Sequence, residues 1–186
     1  MKRHARAPCL LMAALGVCAQ KQEKDSWGVI TLQEVKVLPT RATNSTPVAF
    51  TNIGKEQLKK QIFGQALPYL LSMTPSAITT SDAGAGVGYT TLRVRGTDGT
   101  RINVTANGIP INDAESHTGF WVNLPDFASS VKDMQVQRGA GTSTNGAGAF
   151  GASINMQTGD FSMKPYAEFN GSYGSFHTHK ETVKVG

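Results

Sequence analysis

The chain has 186 residues, of which 39% are hydrophobic, and it carries 18 Lys and Arg against 13 Asp and Glu. This length suits one domain, and the apolar fraction is too high for a wholly disordered protein. The formal charge of +5 would favour an acidic partner, but part of that charge belongs to a separate segment at the start of the chain.

Residues 1–19 have the three parts of a secretory signal peptide. A basic head contains Lys2, Arg3 and Arg6, an apolar stretch runs from Pro8 to Val17, and Ala19 provides a small-residue cleavage point. Cleavage there removes three bases and no acid, so 15 bases face 13 acids and the charge falls to +2. Both cysteines leave with this segment, which excludes disulfide and thiolate chemistry in the exported chain. The small charge and the export also argue against nucleic acid as a partner.

The next stretch, residues 31–47, has few apolar residues that could form a core. Residues 31–38 read TLQEVKVL, an alternating pattern that predicts a lone extended strand ending before Pro39. Residues 39–47 are rich in Thr, Asn, Ser and Pro, which is typical of a linker. We therefore expect the globular part to begin near Val48.

The middle of the chain predicts a mixed α+β domain with two short helices and several short strands. Apolar spacing favours helices over 55–62 and 65–72, where Leu67, Leu70 and Leu71 share one face. Alternation predicts four strands, over 90–95, 102–106, 131–138 and 153–158. Asp98-Gly99 and Asn107-Gly108 are dipeptides typical of tight turns.

The end of the chain has a different pattern. Residues 166–173 and 177–185 alternate as two strands, with Val183 and Val185 still in phase close to Gly186. This predicts a hairpin that belongs to a larger sheet.

The sequence leaves three classes of function open at this stage. A small secreted hydrolase would use Asp113, Glu115 and His117, the strongest candidate group for acid–base chemistry. A soluble extracellular binding or adhesion domain would need none of them. A transport component would use its loops for binding. We predict no metal site and no cofactor, because no third ligand accompanies His177 and His179 and the glycine-rich loops lack the Lys of a phosphate loop.

Two long motifs favour the third class. The run LRVRGTDGTRINVTANGIPIND, residues 92–113, closely resembles the central motif of TonB-dependent outer-membrane receptor plug domains. The run QRGAGTSTNGAGAFGASIN, residues 137–155, is similar to the second motif of that family. The resemblance covers about residues 31–160, with Ala140 and Asn145 standing where many members have Pro and Tyr.

The resemblance implies a fold and a mechanism. The fold would be an α+β plug with a mixed four-stranded sheet and short helices over 48–160, followed at 161–186 by the first one or two strands of a transmembrane β-barrel. Residues 20–47 would be a flexible periplasmic segment. The protein would lie in the outer membrane and take up a scarce solute such as an iron–siderophore complex, cobalamin or an oligosaccharide, and it would not be an enzyme.

The resemblance also assigns residues to partners. The TonB energy-transducing protein would bind a TonB box by strand addition, and the barrel would pair with plug arginines. Outward loops at 81–88 and 112–121 would face the solute, although the second lies in a family motif and is expected to be mainly structural. The predicted contacts are, for TonB, Leu32, Gln33, Glu34, Val35, Lys36 and Val37; for the barrel, Arg93, Arg95 and Arg138; and for the solute, Asn112, Asp113, Glu115, His117 and Trp121.

The predicted barrel strands are few. Residues 161–186 supply at most two membrane strands, whereas closed barrels begin at about eight. Because an unclosed pair leaves backbone groups unsatisfied in lipid, we expect this chain to be an N-terminal fragment that does not transport by itself.

Overall fold

A five-stranded mixed sheet organises the domain. The computed structural model describes residues 41–141, 143–146, 148–159, 164–175 and 177–186. Its strands are β1 (Ala49–Gly54), β4 (Ile102–Ala106), β5 (Ile109–Pro110), β6 (Val131–Arg138) and β7 (Ala152–Thr158). They lie in the order β1-β6-β7-β4-β5, in which only β4 and β7 run parallel.

One face of this sheet carries the hydrophobic core. Met134 and Val136 of β6 and Ile154 and Met156 of β7 are almost completely buried. They pack in one cluster with leucines of two short helices, α1 (Lys55–Lys59) and α2 (Leu67–Leu70). Because strand side chains alternate between faces, the same strands present polar residues on the other side of the sheet.

A separate hairpin supports the core from the side. It consists of β2 (Ala77–Ser81) and β3 (Thr90–Val94), which pair antiparallel. Leu92 and Val94 contribute to the core cluster. Asn107 and Gly108 both have positive φ in the turn between β4 and β5, as predicted. Asp98-Gly99 makes no hairpin turn, because the Asp98 side chain instead caps a single 3-10 turn, Gly99–Arg101, by accepting from the Thr100 amide at 3.1 Å.

The predicted fold class is confirmed, with differences in detail. Three of the predicted strands form β4, β6 and β7, and β1 and the two-residue β5 join them to make five strands, whereas the predicted strand over 90–95 lies in the separate β2–β3 hairpin. Strands β1 and β2 lack a clear apolar alternation and were not predicted. Both helices are shorter than predicted, since each gives way to turns after a few residues. No helix in the described ranges has the length and apolar character needed to cross a membrane.

The last two strands form a hairpin whose lysine-bearing face contacts the rest of the domain and whose apolar face is exposed. Strands β8 (Ala167–Tyr173) and β9 (His179–Val185) pair antiparallel over seven residues each. Lys180 and Lys184 of β9 point towards the core domain, where their ammonium groups contact Asp126 and Ser129. Phe169, Tyr173, Val183 and Val185 are all at least two-thirds exposed, so the apolar face points outward.

The glycine-rich loop between β6 and β7 packs tightly at one position. A Cβ placed on Gly151 would lie 1.9 Å from the Thr97 hydroxyl oxygen and 3.1 Å from the Arg101 carbonyl oxygen. The Gly151 amide donates to that same carbonyl at 2.8 Å. By contrast, a Cβ on Gly148 would meet no atom of the described residues within 4 Å.

We therefore expect Gly151→Ala to lower the free energy of unfolding by about 1–3 kcal/mol, as overpacked sites generally do. The added methyl must displace Thr97, whose hydroxyl donates to the Val94 carbonyl at 2.7 Å. Urea denaturation followed by circular dichroism measures the loss. Gly148→Ala in the same loop is the control and should change stability by less than about 0.5 kcal/mol; equal losses in the two variants would contradict the packing argument.

Candidate functional site

Two loops predicted to face the solute meet at one cavity. The cavity has a volume of about 260 Å³ and lies beside β3 and β4. The loop after β2 and the residues that follow it contribute Asp82 and Tyr89, and the loop after β5 contributes Gly119, Phe120 and Trp121. Loops carried by a rigid scaffold are where binding residues concentrate in proteins.

The walls of the cavity are mainly aromatic and aliphatic. Trp121 is almost buried and packs in the core as well as lining the cavity, whereas Phe120 and Tyr89 are exposed. Asp82 is the charged residue among the lining residues. The Thr90 hydroxyl is buried and has no hydrogen-bond partner among the described residues, so it is a polar group that a bound solute could satisfy.

The loop after β2 is held in place by Tyr69 of α2. The Tyr69 hydroxyl donates to the Gly84 carbonyl at 3.2 Å. Its ring lies against Gly86, where an added Cβ would come within 2.9 Å of the ring. The Ala66 amide donates to the Gly86 carbonyl at 2.6 Å, which ties the same loop to the start of the helix. The position of this loop therefore depends on a few local contacts.

The loop after β5 is organised by two side chains: Asn112, which binds the backbone of β4, and Asp113, which binds groups of the loop itself. Asn112 accepts from the Val104 amide at 2.7 Å and donates to the Ile102 carbonyl at 2.9 Å. The Asp113 carboxylate accepts from the Ser116 amide at 2.7 Å, the Ser116 hydroxyl at 2.9 Å and the Glu115 amide at 3.1 Å. These bonds, chiefly the one from the Ser116 amide, hold the pKa of Asp113 below its ordinary value.

This geometry gives no support to the hydrolase alternative. The hydrogen bonds that the Asp113 carboxylate accepts within the described residues come from Ser116 and Glu115, and the His117 ring makes none of them. A general base needs its orienting partner within hydrogen-bond distance. The predicted solute contacts thus separate into Trp121, which lines the cavity, and Asn112, Asp113, Glu115 and His117, which do not.

The three predicted barrel-contact arginines lie at different positions. Arg93 is exposed on β3, opposite Ile78 of β2. Arg95 has φ of 53° in the turn after β3, and its guanidinium lies over Gly139, where an added Cβ would be 2.7 Å away. Arg138 at the end of β6 donates to the Thr51 hydroxyl of β1. The predicted signal peptide and the predicted TonB contacts at 32–37 lie outside the described residues.

Sequence reasoning did not single out several cavity residues. Asp82 and Phe120 were predicted only as parts of the two loops, and Tyr89 and Thr90 were not assigned to the solute. Their distance along the chain conceals their proximity, because the β2–β3 hairpin brings residues 82–92 beside residues 118–122. An exposed aromatic next to a glycine-rich loop, as at Tyr89, is the one signal that could have indicated them.

Acidification should loosen the loop after β5. Because the pKa of Asp113 is lowered in the folded chain, its stabilising bonds persist at neutral pH and are lost as the pH falls below the ordinary value of 3.8. We expect the protection of the Ser116 amide, measured as its exchange rate relative to an unfolded peptide at the same pH, to fall over that range in the wild type and to be low at all pH values in Asp113→Asn. Glu115→Gln, in the same loop, should keep the wild-type profile; a profile that survives in Asp113→Asn would contradict this assignment.

Removal of the Tyr69 ring should free the loop after β2. We expect Tyr69→Ala to speed hydrogen exchange of the Ala66 amide about tenfold, the equivalent of about 1.4 kcal/mol of local opening. Tyr69→Phe keeps the ring against Gly86 and should retain most of the protection. Tyr89→Ala, which removes an exposed ring of the same kind, should leave the Ala66 amide unchanged. Equal protection in Tyr69→Ala and the wild type would show that other contacts hold the loop.

Comparison with known proteins supports a single family. The family model for the TonB-dependent Receptor Plug Domain matches residues 42–153. No curated protein matches the sequence.

Solved structures share the fold at low sequence identity. The alcaligin outer-membrane receptor FauA of Bordetella pertussis is 18% identical, with a TM-score of 0.57, and the match covers 76% of this chain and 23% of that one. The siderophore receptor PirA of Acinetobacter baumannii is 21% identical, with a TM-score of 0.55 and coverage of 72% and 21%. The hemophore receptor HasR of Serratia marcescens, solved with its hemophore HasA and heme, is 12% identical, with a TM-score of 0.56 and coverage of 75% and 22%. The chain thus spans about a fifth of the length of these receptors.

Proposed function

Because the chain belongs to the TonB-dependent receptor plug family, we propose that it is the gate of an outer-membrane receptor for active uptake of a scarce solute. The observation that carries this proposal is the family match over residues 42–153, which includes four of the five strands of the sheet, the start of β7 and both loops at the cavity. The gate would block the pore of a barrel until the TonB protein pulls on the plug. The solute would be an iron–siderophore complex, cobalamin or an oligosaccharide.

The cavity and its loops suit the solute-facing side of such a gate. Two loops carried by the strands of the domain border a partly apolar concavity, which is the usual character of a small-molecule site. The similar structures include receptors whose names specify alcaligin and a heme-bearing hemophore. We propose Asp82, Tyr89, Phe120 and Trp121 as the plug residues nearest the solute.

The remaining partners are proposed from the family, and the charge and polarity of the chain are consistent with them. The outward apolar face of the β8–β9 hairpin suits the start of a barrel wall in the outer membrane, because membrane strands place apolar residues towards lipid. Arg93, Arg95 and Arg138 are proposed to pair with acids of that wall, where guanidinium binds carboxylate in a bidentate geometry. Residues 32–37 are proposed to add as a strand to TonB.

Capture by TonB tests the proposal. The periplasmic C-terminal domain of TonB, immobilised on beads, should retain the full chain, and scrambling residues 32–37 should lower the retained amount about tenfold or more, because strand addition depends on the alternate side chains. Scrambling residues 20–25, a stretch of the same length, should leave capture unchanged. Capture that withstands the first scramble would overturn the assignment of the TonB contact.

A further inference from the structure

The chain is fastened to the sheet at the point where the described domain begins. The Ala42 amide donates to the Gln135 side-chain oxygen at 2.7 Å, and the Gln135 side-chain nitrogen donates back to the Ala42 carbonyl at 2.9 Å. Ala42 is 5% exposed and Gln135 is 2% exposed, so both bonds are shielded from water. A side-chain amide thus pairs with the backbone of residue 42 as a neighbouring strand would.

Neighbouring groups reinforce this contact. Arg41 forms an ion pair with Asp133 of β6 and donates to the Asn155 carbonyl of β7 at 3.2 Å. Gln135 also donates to the Asn52 side chain of β1 at 2.8 Å. We call the contacts of Arg41 and Ala42 with β6 and β7 the entry clamp.

The clamp continues into the glycine-rich loop through a row of buried amides. Gln137 donates to the Gln135 side-chain oxygen at 2.9 Å, and Asn145 donates to the Gln137 side-chain oxygen at 3.0 Å. Gln137 and Asn145 are both buried, so each of these hydrogen bonds satisfies polar groups that are shielded from water. The position of Gln135 is therefore fixed from two sides.

The order of elements along the chain places the clamp between the N-terminal segment and the first strand of the sheet. A pull on residues before Arg41 reaches Ala42 before it reaches β1 at Ala49. Strand β6 is paired on both edges, with β1 and β7, so it does not follow the pull easily. The load must first break the bonds between residues 41–42 and the interior strands.

We propose that Gln135 is a positioning residue of the gate, and that the entry clamp it forms with Ala42 is the first barrier that a pull on the N-terminal segment must break. The physiological source of that pull rests on the proposed function, because TonB would supply it through residues 32–37. The existence of the clamp does not depend on TonB.

Gln135→Met removes both amide groups at nearly constant volume and tests the clamp. Gln157→Met is the matched control, since Gln157 lies on the same face of the neighbouring strand and its side chain makes no recorded hydrogen bond within the described residues. We expect hydrogen exchange of the Ala42 amide to accelerate at least tenfold in Gln135→Met and to stay unchanged in Gln157→Met. The Ile154 amide of the core separates local release from global unfolding. Equal acceleration at Ala42 and Ile154 would overturn the local role.

Force measurements on the full chain test the mechanical role. The chain is tethered through a tag inserted after Gln20 and a second tag after Gly186, and the lifetime before the first rupture is recorded at constant force. We expect this lifetime to fall at least tenfold in Gln135→Met and to match the wild type in Gln157→Met. Arg41→Met, which leaves the core intact, should shorten it as well and serves if Gln135→Met folds poorly. Wild-type lifetimes in both clamp variants would refute the proposal.

A second arm replaces the covalent N-terminal tether with the bound TonB C-terminal domain. The same order of lifetimes is expected if TonB loads the clamp. If TonB does not hold the chain but the covalent arm gives the expected result, the proposed function is refuted and the proposal of the clamp is supported. If the lifetime depends on Gln135 in neither arm, the proposal of the clamp is refuted.

Discussion

The structure depends on the burial of amide side chains on the polar face of its central sheet. Gln135, Gln137 and Asn155 lie on β6 and β7 with almost no exposure, although side chains of this kind are usually found at protein surfaces. A buried amide without partners costs free energy comparable to several favourable contacts. The fold meets this constraint with four different partners, namely the chain at residue 42, the edge strand β1, the glycine-rich loop and Thr105 of β4, whose hydroxyl donates to the Asn155 side chain.

That constraint also fixes the register of the sheet from both faces. A shift of β6 by one residue would move its glutamines into the apolar core and expose Met134 and Val136 to the polar network. The interior of the sheet is therefore strongly specified. The loops at the cavity depend instead on Tyr69, Asn112 and Asp113, each acting within its own neighbourhood. The loops at the cavity are thus held by local contacts of their own, whereas the sheet beneath them is held by contacts between distant parts of the chain.

The interior strands could be predicted from sequence because their apolar alternation is strong. Strands β4 and β6 have the predicted bounds, since each places apolar residues such as Val104 and Met134 at every second position. Strand β1 escaped prediction because only Ile53 is buried in it, and its conformation follows from pairing with β6. The cavity and the contact of Ala42 with Gln135 were also missed. Both join residues far apart in the chain, and local pattern contains no information on which distant side chain completes a hydrogen bond.

The chemistry of the entry clamp suits a structure that must hold firmly and then release. Apolar contacts weaken gradually as surfaces separate, because their free energy follows the area removed from water. A hydrogen bond weakens steeply once its length and angle leave a narrow range. A clamp built from the paired bonds of Ala42 and Gln135 therefore resists small displacements and fails over a short distance. Since the core of α1, α2 and the sheet lies on the opposite face, release of residue 42 need not disturb it.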